Sequence, residues 1–283
     1  MTEIDLAISP CPNDTFIFHH LSENGPALLD ARVRLDFADV EELNRRALEE
    51  QRHAVTKLSF FAMTRLQEHY HLLRNGGALG RGCGPLLITN RAPTGDGGRA
   101  EMIRSLRRVL IPGRWTTANL LTHLFFADQG RAAELDRIKF VPVRYEKIIP
   151  ALQAGEADFG VIIHEERFTF ERAGLFAVQD LGEWWERATG LPIPLGCIAV
   201  RKDIIARGFA PEKIEAAIRA SLAHAYAHPE DGREFTRAHS QALEDDVIQA
   251  HIDLYVNDFS RDTGPDGQRA IDELFRRANL AGI

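Results

Sequence analysis

The sequence has few cysteines and no long apolar run, and each absence excludes a class of protein. Cys11, Cys83 and Cys197 are its only three cysteines. They lie far apart and form no C-x-x-C pair, which excludes a ribbon-type structural zinc site. A small odd number also fits a reducing compartment better than a disulfide framework. No segment approaches the ~20 apolar residues that a membrane helix needs. The opening Met1-Thr2-Glu3-Ile4-Asp5 carries two acids and no basic cluster, unlike a secretory leader, so a cytoplasmic protein is expected. Excess positive charge is missing as well: 34 Lys+Arg stand against 41 Asp+Glu, for a net charge of -7. Nucleic acid is therefore not an expected partner, because binding phosphates needs a basic face. A local pocket can oppose the global charge, so a small anionic molecule remains open as a ligand.

The composition, 45% hydrophobic and 27% charged over 283 residues, is that of a globular chain of about two domains. Strand-like and helix-like segments alternate. Leu6-Ala7-Ile8 is a short apolar run ended by the turn residues Ser9-Pro10-Cys11-Pro12-Asn13-Asp14, with Asn13 or Asp14 placed to cap a helix over 15–21. Val33 to Phe37 alternates with period two, and 41–51 has apolar residues at helical spacing. Strands are predicted at 54–57, 86–89, 108–111, 139–143, 159–163 and 197–200. Helices are predicted at 60–67, from Thr116 or Thr117 to Phe126, at 146–154 and 184–188, and over most of the chain beyond Pro211. Such alternation predicts an α/β protein with largely parallel sheets. The polar, glycine-rich stretch 91–100 and the strand near 197–200 are read as crossings between two domains. A first, larger domain would comprise 1–90 and 198–283, and a second, smaller one 91–197, with a ligand cleft between them.

Candidate site residues follow from that layout. His164 ends the uncharged run Phe159 to Ile163, and ligands of parallel sheets gather at the C-terminal strand ends. An imidazole there can exchange a proton near neutral pH. The alternative is a histidine that only hydrogen-bonds a neighbouring carbonyl. Glu165 and Glu166 either orient that ring or are solvated charges, the second being the expectation for Glu166. Thr116, Thr117 and Ala118 open a helix, whose free N–H groups favour carboxylates or phosphates; the alternative is an ordinary cap. Lys57, Leu58 and Ser59 repeat that form in the first half, with a cation beside the hydroxyl. Ser9, Asn13 and Asp14 lie at the end of the first strand, where turn and cap chemistry alone also explains them. Gly82-Cys83-Gly84-Pro85 is a candidate close-approach loop without the spacing of a phosphate-binding loop. Of Trp184 and Trp185, one ring is expected in the core and one exposed. With no metal or dinucleotide motif in sight, neither a metal nor a cofactor is expected.

Several stretches taken in order are more specific. Ser9 to Phe16, Lys57-Leu58-Ser59, Gly82 to Leu86, Thr116-Thr117-Ala118, Gly160 to Glu165, Asp180-Leu181-Gly182, Trp184-Trp185, Thr189-Gly190 and Pro192 to Gly196 together resemble the 1,4-dihydroxy-6-naphthoate synthase family of the futalosine route to menaquinone. The resemblance runs from residue 9 to about residue 200. It implies a two-lobed α/β fold like the type 2 periplasmic binding proteins, with a ligand cleft between the lobes, used as an enzyme. The implied reaction is a carbon–carbon lysis that converts cyclic dehypoxanthine futalosine to 1,4-dihydroxy-6-naphthoate. The implied proton acceptor is His164, and the implied substrate contacts are Lys57, Leu58, Ser59, Thr117 and Ala118. Ser9, Asn13 and Thr116 join them by position. Rival functions are the chorismate dehydratase of the same pathway and a solute-binding protein that only captures its ligand. A small anionic substrate and a homodimer are the expected partners, with no membrane.

Overall fold

The computed structural model describes residues 2–95, 97–240 and 244–283. Asp96, inside the polar stretch 91–100, and residues 241–243, inside the expected helical tail, lie outside the described residues. Eleven strands are present among the described residues: β1 (Thr2–Ile8), β2 (Ala31–Phe37), β3 (Val55–Ser59), β4 (Tyr70–Leu72), β5 (Ala78–Gly80), β6 (Leu86–Thr89), β7 (Arg108–Ile111), β8 (Lys139–Pro142), β9 (Phe159–Ile162), β10 (Phe176–Asp180) and β11 (Ile193–Arg201). They build two sheets. The first has the order β2-β1-β3-β11-β4, with β5 also paired to β11, and the second has the order β10-β6-β9-β7-β8.

The sheets are mixed rather than largely parallel. β1 runs parallel to β2 and β3, and β7 parallel to β8 and β9. β11 is antiparallel to β3, β4 and β5, and β6 is antiparallel to β9 and β10. The cause is the path of the chain. It leaves the first sheet after β5, builds the second, and returns through β11, which re-enters against the direction of β3. The change of sheet comes before β6 and again between β10 and β11. The stretch 91–100 leads into a helix, Gly98–Ser105.

The first helix differs in an instructive way. It runs from Pro12 to Leu29, with Cys11 at the cap position and Pro12 at its start, where a missing N–H costs nothing. Asn13 and Asp14 are therefore inside the first turn and do not cap it. Asn24 leaves helical geometry just before Gly25-Pro26, where proline removes a donor.

One hydrophobic core is shared by both sheets. Leu58 and Ala199 of the first sheet pack in one cluster with Leu87, Val109 and Val161 of the second, around Trp184 and Trp185. Both indoles are buried, against the expectation of one exposed ring. Trp185 Nε1 donates to Pro192 O at 2.9 Å, and Trp184 Nε1 donates to Asp128 Oδ2 at 2.9 Å. Helices Pro12–Leu29 and Pro211–Ala227 bury their apolar faces in a second cluster with β1 and β2.

The loop Gly82 to Pro85 does make a close approach, to the backbone of the chain itself. A Cβ on Gly84 would lie 2.3 Å from Gly182 Cα and N, and one on Gly182 would lie 2.7 Å from Gly84. Gly84→Ala or Gly182→Ala should accordingly cost about 1–3 kcal/mol of stability through overpacking. Gly97→Ala, with nothing within 4 Å of the added carbon, should be near neutral; urea-unfolding midpoints of the three variants check this.

Candidate active site

The C-terminal ends of the parallel strands of both sheets converge on one cavity. Ser9 follows β1, Lys57 and Ser59 end β3, Thr116 and Thr117 follow β7, and His164 follows β9. All of them line one cavity, together with Ala118. Two expected contacts stand apart. Leu58 alternates to the other face of β3, and its side chain is packed in the shared core. Asn13 does not line the cavity; it stands behind it.

The floor of the site is a buried ion pair. Asp14 is fully buried, and its carboxylate accepts from Lys57 Nζ at 2.5 Å, Ser9 Oγ at 2.6 Å, Asn13 Nδ2 at 2.8 Å and Ser9 N at 3.1 Å. Four donors on one carboxylate repay much of the cost of removing it from water. Asp14 thus holds the ammonium of Lys57 at the cavity wall. Asn13 Oδ1 in turn accepts from His251 Nε2 at 2.9 Å, so the C-terminal part of the chain braces the same network.

The donors facing the cavity sort by what else they bond. Asn44 clamps Ser59: its Oδ1 accepts from Ser59 N at 2.8 Å, and its Nδ2 donates to Ser59 Oγ at 3.0 Å. That leaves the Ser59 hydroxyl hydrogen for a ligand. Both threonine hydroxyls are engaged by the protein instead. Thr116 Oγ1 donates to Gly113 O at 2.9 Å and accepts from Asn119 N at 3.2 Å, as an ordinary N-cap does. Thr117 Oγ1 donates to Leu195 O at 2.7 Å and accepts from Phe61 N at 3.3 Å. What this helix, Thr117–Phe126, offers a ligand is therefore the main-chain N–H groups of Thr117 and Ala118, which have no intrahelical partner.

His164 is held by a neighbour the sequence did not suggest. Its Nδ1 lies 3.4 Å from Cys11 Sγ, and neither Glu165 nor Glu166 bonds the ring. Tyr145 meets the ring edge-on, with centroids 5.0 Å apart. Nε2 is buried and has no partner. In the tautomer whose Nδ1–H points to the sulfur, the lone pair sits on Nε2. Burial pushes the imidazole down to about 4, Asp14 opposes this and Lys57 adds to it, so the ring is neutral at physiological pH. Its backbone is left-handed, with φ 56°, which costs a non-glycine residue about 1–3 kcal/mol and marks a side chain aimed at the expense of its backbone.

Glu165 and Glu166 are both buried, which corrects the expectation of a solvated Glu166. Burial raises both carboxyls, that of Glu166 to about 9 with help from Glu165 and Glu146. Asp14 was a candidate by its place at the end of the first strand, but its pairing with Lys57 was not legible, and Cys11, Asn44, Tyr145 and His251 were not legible as site residues. Cys11 and Asp14 stand in the Pro-Cys-Pro-Asn-Asp turn, where cap and turn chemistry explained them, and His251 lies in a helix, Asp245–Tyr255, with no motif around it.

A second polar contact ties the two sides of the site. Glu41, in the first turn of the helix Val40–Glu50, accepts Trp115 N with both carboxylate oxygens, at 3.2 and 3.0 Å. Burial pushes this carboxyl from 4.5 up to about 7. The native state then binds a proton that the unfolded chain releases near 4.5. Stability should fall as pH rises from about 4.5 through 7, by at most about 3 kcal/mol, and Glu41→Gln should remove most of that slope in urea titrations across the range. At the floor, Lys57→Met should destabilise by about 3–5 kcal/mol, because it leaves the Asp14 charge buried and unpaired. The double variant with Asp14→Asn should recover part of the loss in the same assay.

Comparison with known proteins agrees with this architecture. A family model described as menaquinone biosynthesis matches residues 4–280. The chain is 45% identical over 287 residues to the 1,4-dihydroxy-6-naphthoate synthase of Thermus thermophilus, covering 100% of this chain and 96% of that protein. It is 39% identical over 285 residues to the enzyme of the same name from Streptomyces coelicolor, covering 99% and 94%. Among solved structures, a protein of Archaeoglobus fulgidus superposes with a TM-score of 0.84 at 29% identity, over 99% of this chain and 98% of that one. The periplasmic aliphatic sulphonate binding protein of Escherichia coli superposes with a TM-score of 0.67 at 10% identity, over 100% and 89%, which shows a shared periplasmic-binding-protein-like fold. By its sequence, and with a fold that accords with it, the chain belongs to the menaquinone biosynthesis family.

Proposed function

We propose that this enzyme converts cyclic dehypoxanthine futalosine to 1,4-dihydroxy-6-naphthoate, with His164 as the general base. The observation that carries the proposal is Nε2 of His164: a neutral imidazole nitrogen, buried, without a protein partner, on a residue that lines the cavity. The names of the two curated relatives supply the product. The residues supply the chemistry. The substrate carries a carboxylate, for which Lys57, the Ser59 hydroxyl and the free N–H groups of Thr117 and Ala118 are suitable donors. Removal of one proton by Nε2 starts the collapse of the sugar-derived ring, a dihydroxyacetone-like fragment leaves, and the bicycle becomes aromatic. A positioned base contributes about 10²–10⁴-fold. Donors fixed before the substrate arrives stabilise a developing enolate oxygen without reorganisation.

The organisation proposed with it is two lobes, 1–90 with 198–283 and 91–197, whose closure over the substrate excludes water. Leu58, with its side chain in the core, would act only through its main chain, and Ser9, Asn13 and Thr116 would shape the wall. A cytoplasmic location belongs to the same proposal. No helix among the described residues is long and apolar enough to cross a membrane.

His164→Asn should lower kcat at least about 100-fold while leaving the affinity for 1,4-dihydroxy-6-naphthoate nearly unchanged. Product absorbance and mass spectrometry measure the first, and calorimetric titration the second. Near-normal turnover by that variant would refute the role of His164. Turnover of chorismate by the native chain, or a ligand returned unaltered, would refute the reaction.

A further inference from the structure

Behind the ring of His164 lies a second set of ligand-type atoms that the proposed reaction does not use. Cys11 Sγ, a nitrogen of His164 and a carboxylate oxygen of Glu165 all lie within 4.8 Å of one another. The Sγ–Nδ1 separation of 3.4 Å is close to the edge of a tetrahedral zinc site, about 3.5 Å for bonds of ~2.3 Å to sulfur and ~2.0 Å to nitrogen. A further imidazole stands beside Glu165, outside that group of three. His251 Nδ1 is 3.9 Å from Glu165 Oε2, and both atoms are buried with no hydrogen-bond partner. Their side chains are 0% and 8% exposed. Two unsatisfied buried polar atoms so close together call for an occupant.

We propose that Cys11, His164 and Glu165 form a binding site for a thiophilic divalent cation of the Zn2+ type, and that occupancy switches the enzyme off. One sulfur, one imidazole nitrogen and one carboxylate, with the fourth position open to water, are a donor set for Zn2+ or Co2+ rather than Mg2+ or Ca2+. Bound as thiolate and carboxylate, Cys11 and Glu165 together cancel the 2+ charge, which suits a buried site. The ligands come from both sheets: Cys11 follows β1, while His164 and Glu165 follow β9. The cation would therefore clamp the two sides of the cleft together. Its effect on catalysis follows from imidazole chemistry. A neutral ring that ligates a metal through Nδ1 carries its remaining proton on Nε2, so the nitrogen that serves the cavity loses its lone pair. The cavity stays intact and its base is blocked.

The inhibitory half rests on the proposed role of His164; the binding half does not. Binding is tested on the full chain, stripped with EDTA, by equilibrium dialysis against Co2+ with absorption spectroscopy. One Co2+ per chain is expected, with a sulfur-to-cobalt charge-transfer band and the strong visible bands of tetrahedral cobalt. Cys11→Ser should abolish the charge-transfer band. Glu165→Gln should weaken binding at least tenfold. Absence of stoichiometric binding, or a charge-transfer band unchanged in Cys11→Ser, would overturn the site, the latter pointing to Cys83 or Cys197. Zn2+ at stoichiometric loading should lower turnover at least tenfold, reversibly with EDTA. A zinc-loaded enzyme that binds as described but turns over normally would overturn the inhibitory switch and the base assignment, while the metal site stood.

Discussion

The buried contact between Lys57 and Asp14 organises the rest of the site. A carboxylate with no exposure to water is tolerated only when its oxygens are fully bonded, and Asp14 meets that condition with four donors from Ser9, Asn13 and Lys57. Satisfying one side chain thereby fixes the turn after β1 against the end of β3. It also presents an ammonium to the cavity in a defined position. The charge of that ammonium is largely balanced from behind, so it can act as an oriented donor without dominating the field at His164.

The two sheets supply complementary parts. The first contributes the ion pair and the Ser59 hydroxyl; the second contributes a helix start and the imidazole. They are held in register by the shared core and by polar contacts across the cleft, Glu41 to Trp115 and Thr117 to Leu195. Enclosure keeps His164 neutral, and a neutral ring is the form a base requires. The same enclosure leaves Glu165 and His251 with buried polar atoms unsatisfied.

Much of this was legible because it is local. Period-two patterning marks β2, and the uncharged run before His164 marks β9. The hydroxyl-first pattern at Thr116 gives a helix start, which the structure confirms as a side-chain cap. Short strands such as β4 and β5, three residues each, carry too few residues for any period to register. The antiparallel course of β11 was not legible either, because strand direction depends on where the chain returns from. Glu166 reads as a solvated charge in a Glu-Glu-Arg run, and only its packing shows it buried.

By itself, then, the sequence determined the succession of elements, the side chains of β3 that share a face, and the residue types gathered at strand ends. These depend on periodicity and on capping chemistry within a few neighbours. Tertiary structure alone decided that Cys11 touches His164 across 153 positions, that His251 braces Asn13 across 238, and that the threonine hydroxyls are spent on the protein rather than left for a ligand. Contacts of that separation are set by how two sheets close on a common core, and no local pattern of side chains encodes that distance.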